Sequence, residues 1–358
     1  VSAEKPVRVL VAEDSELFAQ TIVEILEMDR TFEVFGIAKD GAEAVRMTEL
    51  GKPDVVLMDV RMPGMDGLAA IEGIMDRCPT PILVMTADPA GKTGELSFEA
   101  LRRGALDLVP KPTTWAGTPA EQEDLRSRLL ALSRIRVVRR KAGLSERPEA
   151  MERAPIEPMR SGQPNLRVVG LVSSTGGPPV LGKILRELPA TFPFCIVIVQ
   201  HLSDGFCDRF ASWLGQNTSL RVELARQGAA LAPGLVLIAP DRKHVTVEGR
   251  LQVRLDDSPP VGGHKPSGTI LLRSIARSFG RQAIGGVLTG MGADGAEGLL
   301  DIHRASGFTF AQEARSCVVS GMPGQALALG AATRSLTPDQ IVRELMRLGL
   351  TGSGGLKS

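Results

Sequence analysis

Residues 54–68 read DVVLMDVRMPGMDGL. Val55 to Met58 form an unbroken apolar run that stops on the carboxylate of Asp59, and helical spacing begins at Gly67. A short apolar run bounded by turn residues is the pattern of a strand buried on both faces. The same alternation extends to either side. Runs at 8–12, 34–38, 81–85 and 106–109 read as further buried strands. The intervening stretches 15–28, 41–50, 67–77 and 94–103 carry helical spacing, and 119–141 gives a fifth helix rich in Leu and Arg. Repeated β-α units predict a flavodoxin-like, five-stranded parallel sheet that binds its ligands outside the strand carboxyl ends.

From 142 to 165 the apolar periodicity disappears and Pro, Glu, Arg, Ser and Gly dominate, the composition of a linker. A second α/β pattern starts at Arg167. Strand-like runs fall at 168–172, 195–200, 235–239 and 283–289, a hairpin at 245–255 turns about Glu248-Gly249-Arg250, and 267–280 and 295–305 read as helices. The expected organisation is a first domain over 1–118, a helix and linker over 119–165, and a second doubly wound α/β domain of hydrolase type, with an added hairpin, over 166–348. A Gly/Ser-rich flexible tail would occupy 349–358.

The 42 Lys and Arg nearly cancel the 41 Asp and Glu. That balance argues against nucleic acid as a partner, which a strong positive field would attract. The four cysteines are scattered without a CxxC pair, as in reduced core thiols of a cytoplasmic protein. No apolar run approaches the length of a membrane span, so direct membrane insertion is not expected.

Glu13 and Asp14 end the first predicted strand and Asp59 the third. In a sheet of order 2-1-3-4-5 those strands are neighbours, so the three carboxylates converge and call for a cation; an all-oxygen set with room for water suits Mg²⁺. Thr86 ends the fourth strand and Lys111 follows the fifth. A hydroxyl and an ammonium facing three carboxylates make a phosphoryl-handling site. The segments VLVAEDS, VVLMDVRMPGMDGL, LVMTAD and Lys111-Pro112 resemble the response-regulator receiver domain over residues 6–112. The resemblance implies that Asp59 accepts phosphate, that Glu13, Asp14 and Asp59 bind Mg²⁺, that Lys111 contacts the phosphoryl group and that Thr86 senses it. One departure is Leu108, at a switch position that is usually aromatic.

In the second half, Ser173-Ser174-Thr175-Gly176-Gly177 follows the strand-like VVGLV, and His201 follows CIVIVQ. Asp294 lies in the Gly-rich TGMGADG between another apolar run and a helix. A serine, a histidine and an aspartate thus fall on strand-to-helix loops of one sheet. An imidazole is needed to take the proton of a serine nucleophile, and a carboxylate to fix the imidazole's tautomer. Ser174 satisfies only half of the G-x-S-x-G elbow, and a Ser-Thr-Gly-Gly turn could instead bind phosphate or cap a helix. His244 and His264 are read as structural or substrate-contacting, and His303 as a surface or packing residue.

GLVSSTGGP, VIVQHLSDGF, IAPDRKHVTV, GGVLTGMGADGAEGL and AQEARSCVVSGMP together resemble the catalytic domain of the chemotaxis protein-glutamate methylesterases over residues 166–348. The resemblance implies Ser174 as nucleophile, His201 as general base and Asp294 as orienting acid. An oxyanion donor would come from the backbone at Met291, with Thr175 nearby. Ser173 stands where the family is more often small and apolar, and is a rival nucleophile. Gly268-Thr269 departs from a pattern that commonly has an acid at the second position. The implied activity is hydrolysis of glutamate γ-methyl esters on the cytoplasmic domain of a methylated chemoreceptor, with glutamine deamidation secondary. It would be switched on when a chemotaxis histidine kinase phosphorylates the first domain, which otherwise covers the cleft; deleting residues 1–141 should then raise activity. A partner-binding output domain and a small-molecule serine esterase are the competing readings.

Overall fold

In the computed structural model, residues 5–87, 92–112, 117–135, 137, 167–249 and 252–352 are described. The linker expected over 142–165 lies outside them, as do Arg250 of the hairpin turn and residues 353–358 of the expected tail. The chain divides into two compact units, with the boundary between Glu146 and Arg147.

The first unit alternates strand and helix: β1 (Val7–Ala12), α1 (Glu16–Glu27), β2 (Phe32–Ala38), α2 (Gly41–Gly51), β3 (Val55–Asp59), α3 (Gly67–Arg77), β4 (Ile82–Thr86), α4 (Lys92–Arg103), β5 (Asp107–Pro110) and α5 (Pro119–Ser133). The strands are all parallel in the order β2-β1-β3-β4-β5. Val9 to Ala12, Val55 to Met58 and Ile82 to Met85 are wholly buried, which is why those segments read as continuous apolar runs rather than alternating ones. Strand order reverses between β1 and β3, so the carboxyl ends carrying Glu13 and Asp59 flank the crevice of the sheet.

Helix α5 opens with a capping box between Thr118 and Glu121 and with Pro119 in its first turn. It stops at Ser133, where Arg134 and Ile135 both donate back to the Leu132 carbonyl; residues 136 and 138–141 of the expected helix lie outside those described. The β-branched Ile135 and Val137 that follow disfavour another helical turn. A buried ion pair pins α5 to β5: Arg128 Nη1 donates to Asp107 Oδ2 at 2.8 Å, and its Nε to Asp124 at 2.9 Å. Burial pushes the Asp107 carboxyl above its ordinary pKa, against the pull of Arg128. Arg128→Ala should therefore destabilise the first unit by about 3–5 kcal/mol at neutral pH, the cost of stranding a buried charge. With the guanidinium gone, the folded state binds the Asp107 proton still more tightly than the unfolded chain does. Stability of the variant then rises as pH falls through that raised pKa, and the deficit narrows. Urea unfolding at about pH 7.5 and about pH 5 checks this; an equal deficit at both would contradict it.

The second unit begins with β6 (Val168–Ser173), α6 (Gly177–Glu187), β7 (Cys195–Gln200), α7 (Cys207–Gln216), β8 (Arg221–Leu224) and β9 (Leu235–Ile238). It continues through the hairpin β10 (His244–Glu248) and β11 (Gln252–Asp256) to α8 (Gly268–Phe279), β12 (Ala283–Val287), α9 (Ala296–Arg304), β13 (Phe308–Gln312), α10 (Gly321–Ala328), β14 (Arg334–Leu336) and α11 (Pro338–Gly352). Seven parallel strands run β14-β13-β12-β6-β7-β9-β8, and the antiparallel hairpin stands apart. The sequence reading lacks β8, β13 and β14: RVEL and RSL are short edge strands with polar, partly exposed residues and carry no long apolar run. Gly349 to Gly352, read as tail, belong to α11. Strands β6, β7 and β12 lie side by side, and chain direction through the sheet reverses between β6 and β12. Among the described residues, no helix is long and apolar enough to cross a membrane.

Candidate active site

Ser174 follows β6, His201 follows β7, and Asp294 lies in the turn between β12 and α9, so adjacent strand ends at the switch point deliver all three. The nucleophile loop is tied on every side. Ser174 N–H donates to the Thr289 carbonyl at 3.0 Å, and Gly177 N–H returns to the Ser174 carbonyl at 2.8 Å. Gly176 has φ 76°, and a Cβ there would meet Val318 at 2.3 Å, so only glycine makes this turn. Gly290 is close-packed for another reason: a Cβ on it would fall 2.7 Å from Ser174 Cβ. The TGMGADG turn thus runs directly beneath the serine.

Gln200 joins the serine and histidine loops. Its Nε2 donates to the Ser174 carbonyl at 2.9 Å and to the His201 carbonyl at 3.0 Å, and its Oε1 accepts from Ser173 Oγ at 2.6 Å. Ser173 is fully buried and its hydroxyl proton is engaged, which speaks against it as a nucleophile. Sequence reading did not single out Gln200; its place as the last residue of β7, one before His201, was the available signal.

His201 Nε2 lies 2.9 Å from Asp294 Oδ2. Burial opposes the Asp294 charge, but bonds from His201 and from the Thr269 and Gly268 backbone outweigh it and hold the carboxyl well below the usual range. Asp294 is thus an anion that can only accept, so His201 Nε2 carries the proton. The other nitrogen, Nδ1, is buried with no partner among the described residues and holds the basic lone pair. The carboxylate engages Nε2, the reverse of the more familiar arrangement with Asp on Nδ1. The Thr175 hydroxyl is likewise buried and unpartnered beside the nucleophile, and Met291 occupies the turn between Gly290 and Gly292.

His264 stacks face to face on His201, with centroids 4.0 Å apart and planes within 2°. Burial and the neighbouring His201 lower its pKa against the opposing pull of Asp294, favouring a neutral ring over one face of the base. His303 is exposed on α9. At the Gly268-Thr269 departure, Thr269 N–H donates to Asp294 Oδ1 at 3.0 Å and Thr269 Oγ1 accepts from Gly295 N–H at 2.9 Å, so this residue shapes the aspartate turn.

In the first unit, ligand atoms of Glu13, Asp14 and Asp59 lie within 4.8 Å of one another. Lys111 Nζ bridges Glu13 at 2.6 Å and Asp59 at 2.7 Å, and sits 4.7 Å from the centre of the Phe18 ring. Burial raises the Glu13 pKa despite Lys111. Burial alone would lower the pKa of Lys111, but the bonds to Asp59 and Glu13 raise it. One ammonium thus pairs with two of the three clustered carboxylates. An all-oxygen donor set with Asp14 open to solvent fits a partly hydrated Mg²⁺. Thr86 is fully buried at the end of β4; its hydroxyl has no partner among the described residues, while its carbonyl accepts from Lys111 N–H at 2.7 Å. Leu108 is buried on β5.

Comparison with known proteins bears on both units. The family described as response regulator receiver domain matches residues 9–117, and that described as CheB methylesterase matches residues 169–345. A protein-glutamate methylesterase/protein-glutamine glutaminase of Anaeromyxobacter dehalogenans is 44% identical over 345 residues, 96% of this chain and 98% of that protein. One from Myxococcus xanthus is 38% identical over 353 residues, 98% of this chain and 99% of that one. The crystal structure of the Thermotoga maritima CheB methylesterase catalytic domain matches with a TM-score of 0.50 at 34% identity, covering 51% of this chain and 98% of that chain. Two units in the same order, matched along nearly their whole length, leave one conclusion: the chain belongs to the protein-glutamate methylesterase/protein-glutamine glutaminase family, with a receiver domain ahead of a CheB methylesterase domain.

Proposed function

We propose that this protein hydrolyses glutamate γ-methyl esters on the cytoplasmic domain of chemoreceptors, and that phosphorylation of Asp59 by a chemotaxis histidine kinase raises the rate. The observation that carries the reading is the His201 imidazole: Nε2 is held by an ionised Asp294, while a buried Nδ1, without a partner among the described residues, lies on the loop linked through Gln200 to Ser174.

Ser174 Oγ attacks the ester carbonyl as its proton passes to His201 Nδ1. Asp294 stabilises the resulting imidazolium and holds its orientation. The oxyanion is received by the Met291 backbone N–H, with the Thr175 hydroxyl a further donor and the start of α6 adding its positive end. His201 returns the proton to the departing methoxide, giving methanol and an acyl-enzyme. Water, deprotonated by His201, then displaces Ser174 and leaves glutamate. A glutamine side chain follows the same course with ammonia leaving. In the receiver, Glu13, Asp14 and Asp59 would hold Mg²⁺, which when bound neutralises charge on the incoming phosphoryl oxygens. Lys111 then exchanges its contact with Asp59 for the phosphoryl group, and the Thr86 hydroxyl turns to it.

Asp59→Asn should take up no phosphoryl group from radiolabelled acetyl phosphate and Mg²⁺, while the wild type forms an acid-stable, base-labile acyl phosphate; equal labelling would place the acceptor elsewhere. Mass mapping of a methylated receptor after incubation tests the substrate. Conversion of methyl-glutamate to glutamate, absent with Ser174→Ala, supports the reading, and an unaltered receptor contradicts it.

A further inference from the structure

Ser267 is the N-cap residue of α8, yet its side chain makes no capping bond. A serine at this position ordinarily accepts from the N–H of the second or third helical residue. Here the first-turn amides are taken by Asp294 from another loop: Gly268 N–H donates to Oδ2 at 2.6 Å and Thr269 N–H to Oδ1 at 3.0 Å. The Ser267 hydroxyl is released from capping and donates to Asp294 Oδ1 at 2.8 Å, the oxygen opposite the one that faces His201.

Ser267 is itself held. Its N–H donates to His244 Nδ1 at 3.0 Å, so that nitrogen is unprotonated and Nε2–H donates to the Pro259 carbonyl at 3.1 Å. His244 and Ser267 are both fully buried. The contacts form one continuous line from the Pro259 carbonyl through His244, Ser267 and Asp294 to His201. We infer that Ser267, and His244 through it, are positioning residues for ester hydrolysis: they stop the Asp294 carboxylate from rotating and keep Oδ2 aligned with His201. This rests on the reading of Ser174, His201 and Asp294 as the hydrolytic triad.

Ser267→Ala removes one of the two Oδ1 donors and leaves both backbone amides in place. The expected result is a fall in kcat of about tenfold with KM unchanged, in the range of a hydrogen bond to a charged group. A role in folding alone would not affect a second readout. With one donor fewer, Asp294 accepts more strongly from His201, so the downfield proton resonance of His201 Nε2–H in ¹⁵N-histidine-labelled full-length protein should move further downfield. Ser267→Thr, which restores a hydroxyl, should recover both. If Ser267→Ala does not fold, the His244 pair carries the test: His244→Asn keeps an acceptor at the Nδ1 position and should retain most of kcat, whereas His244→Leu should not. A folded Ser267→Ala with wild-type kcat and resonance overturns the inference, as do equal rates for His244→Asn and His244→Leu. If Ser174→Ala retains the wild-type rate, the hydrolytic reading has failed instead, and the His201 resonance separates the two cases.

Discussion

Ser174→Ala is expected to lower kcat/KM for methyl-ester hydrolysis by about 10⁴-fold or more, the scale seen when a triad nucleophile is removed while oxyanion donors and binding remain. The loss should fall on kcat, because the hydroxyl acts in the transition state and leaves the cleft's shape intact. Ser173 provides the control. Its hydroxyl donates into Gln200 at 2.6 Å, and Gln200 in turn holds the carbonyls of Ser174 and His201. Ser173→Ala therefore loosens a support without removing the attacking atom, and its loss should be about tenfold, one buried hydrogen bond. Steady-state methanol release from both variants decides this. Equal losses, or the larger loss in Ser173→Ala, would contradict the assignment of Ser174.

Asp294→Asn should reduce kcat by about 10⁴-fold, as expected when the orienting acid fixes the wrong tautomer. The reason is in the donor count. Asp294 accepts from Ser267 and Thr269 on one oxygen and from Gly268 and His201 on the other. An amide has only one oxygen for these two sites, so its NH₂ must confront donors on one side. If it faces His201, the imidazole must carry its proton on Nδ1, the atom that has to accept from Ser174. The variant should also unfold more easily near neutral pH. The Asp294 pKa is lowered in the folded state, so the anion contributes stability above its ordinary pKa, and that contribution is lost as pH falls through the folded value. The stability gap between wild type and variant should narrow on acidification; a gap independent of pH would contradict the charge assignment. Since Asp294 stays ionised far into acid, acid inactivation near neutrality belongs to another group.

Much of this is legible in the sequence alone. The receiver sheet could be read because strands covered on both faces, such as Val55 to Met58, leave continuous apolar runs, and their order follows from the β-α alternation. Ser174 and His201 could be placed because each directly follows such a run. The edge strands could not: Arg221–Leu224 and Arg334–Leu336 are short and half exposed, and their identity depends on neighbours in the sheet. The fine structure of the site was also hidden. Ser267 meets Asp294 across 27 residues and His244 across 23, and the stacking of His264 on His201 depends on where the chain leads after the β10–β11 hairpin. Nothing in local spacing distinguishes a serine that caps its own helix from one that turns to a carboxylate of another loop. The Gly268-Thr269 departure acquires a local role in holding the turn of Asp294.

The most direct measurement is methanol release from methylated receptor membranes by the full-length protein, with and without acetyl phosphate and Mg²⁺. The account predicts release that rises with the phosphodonor in the wild type, stays at its basal rate in Asp59→Asn, and vanishes in Ser174→Ala under both conditions. Release that persists in Ser174→Ala, or no release from a folded wild type under either condition, would contradict it.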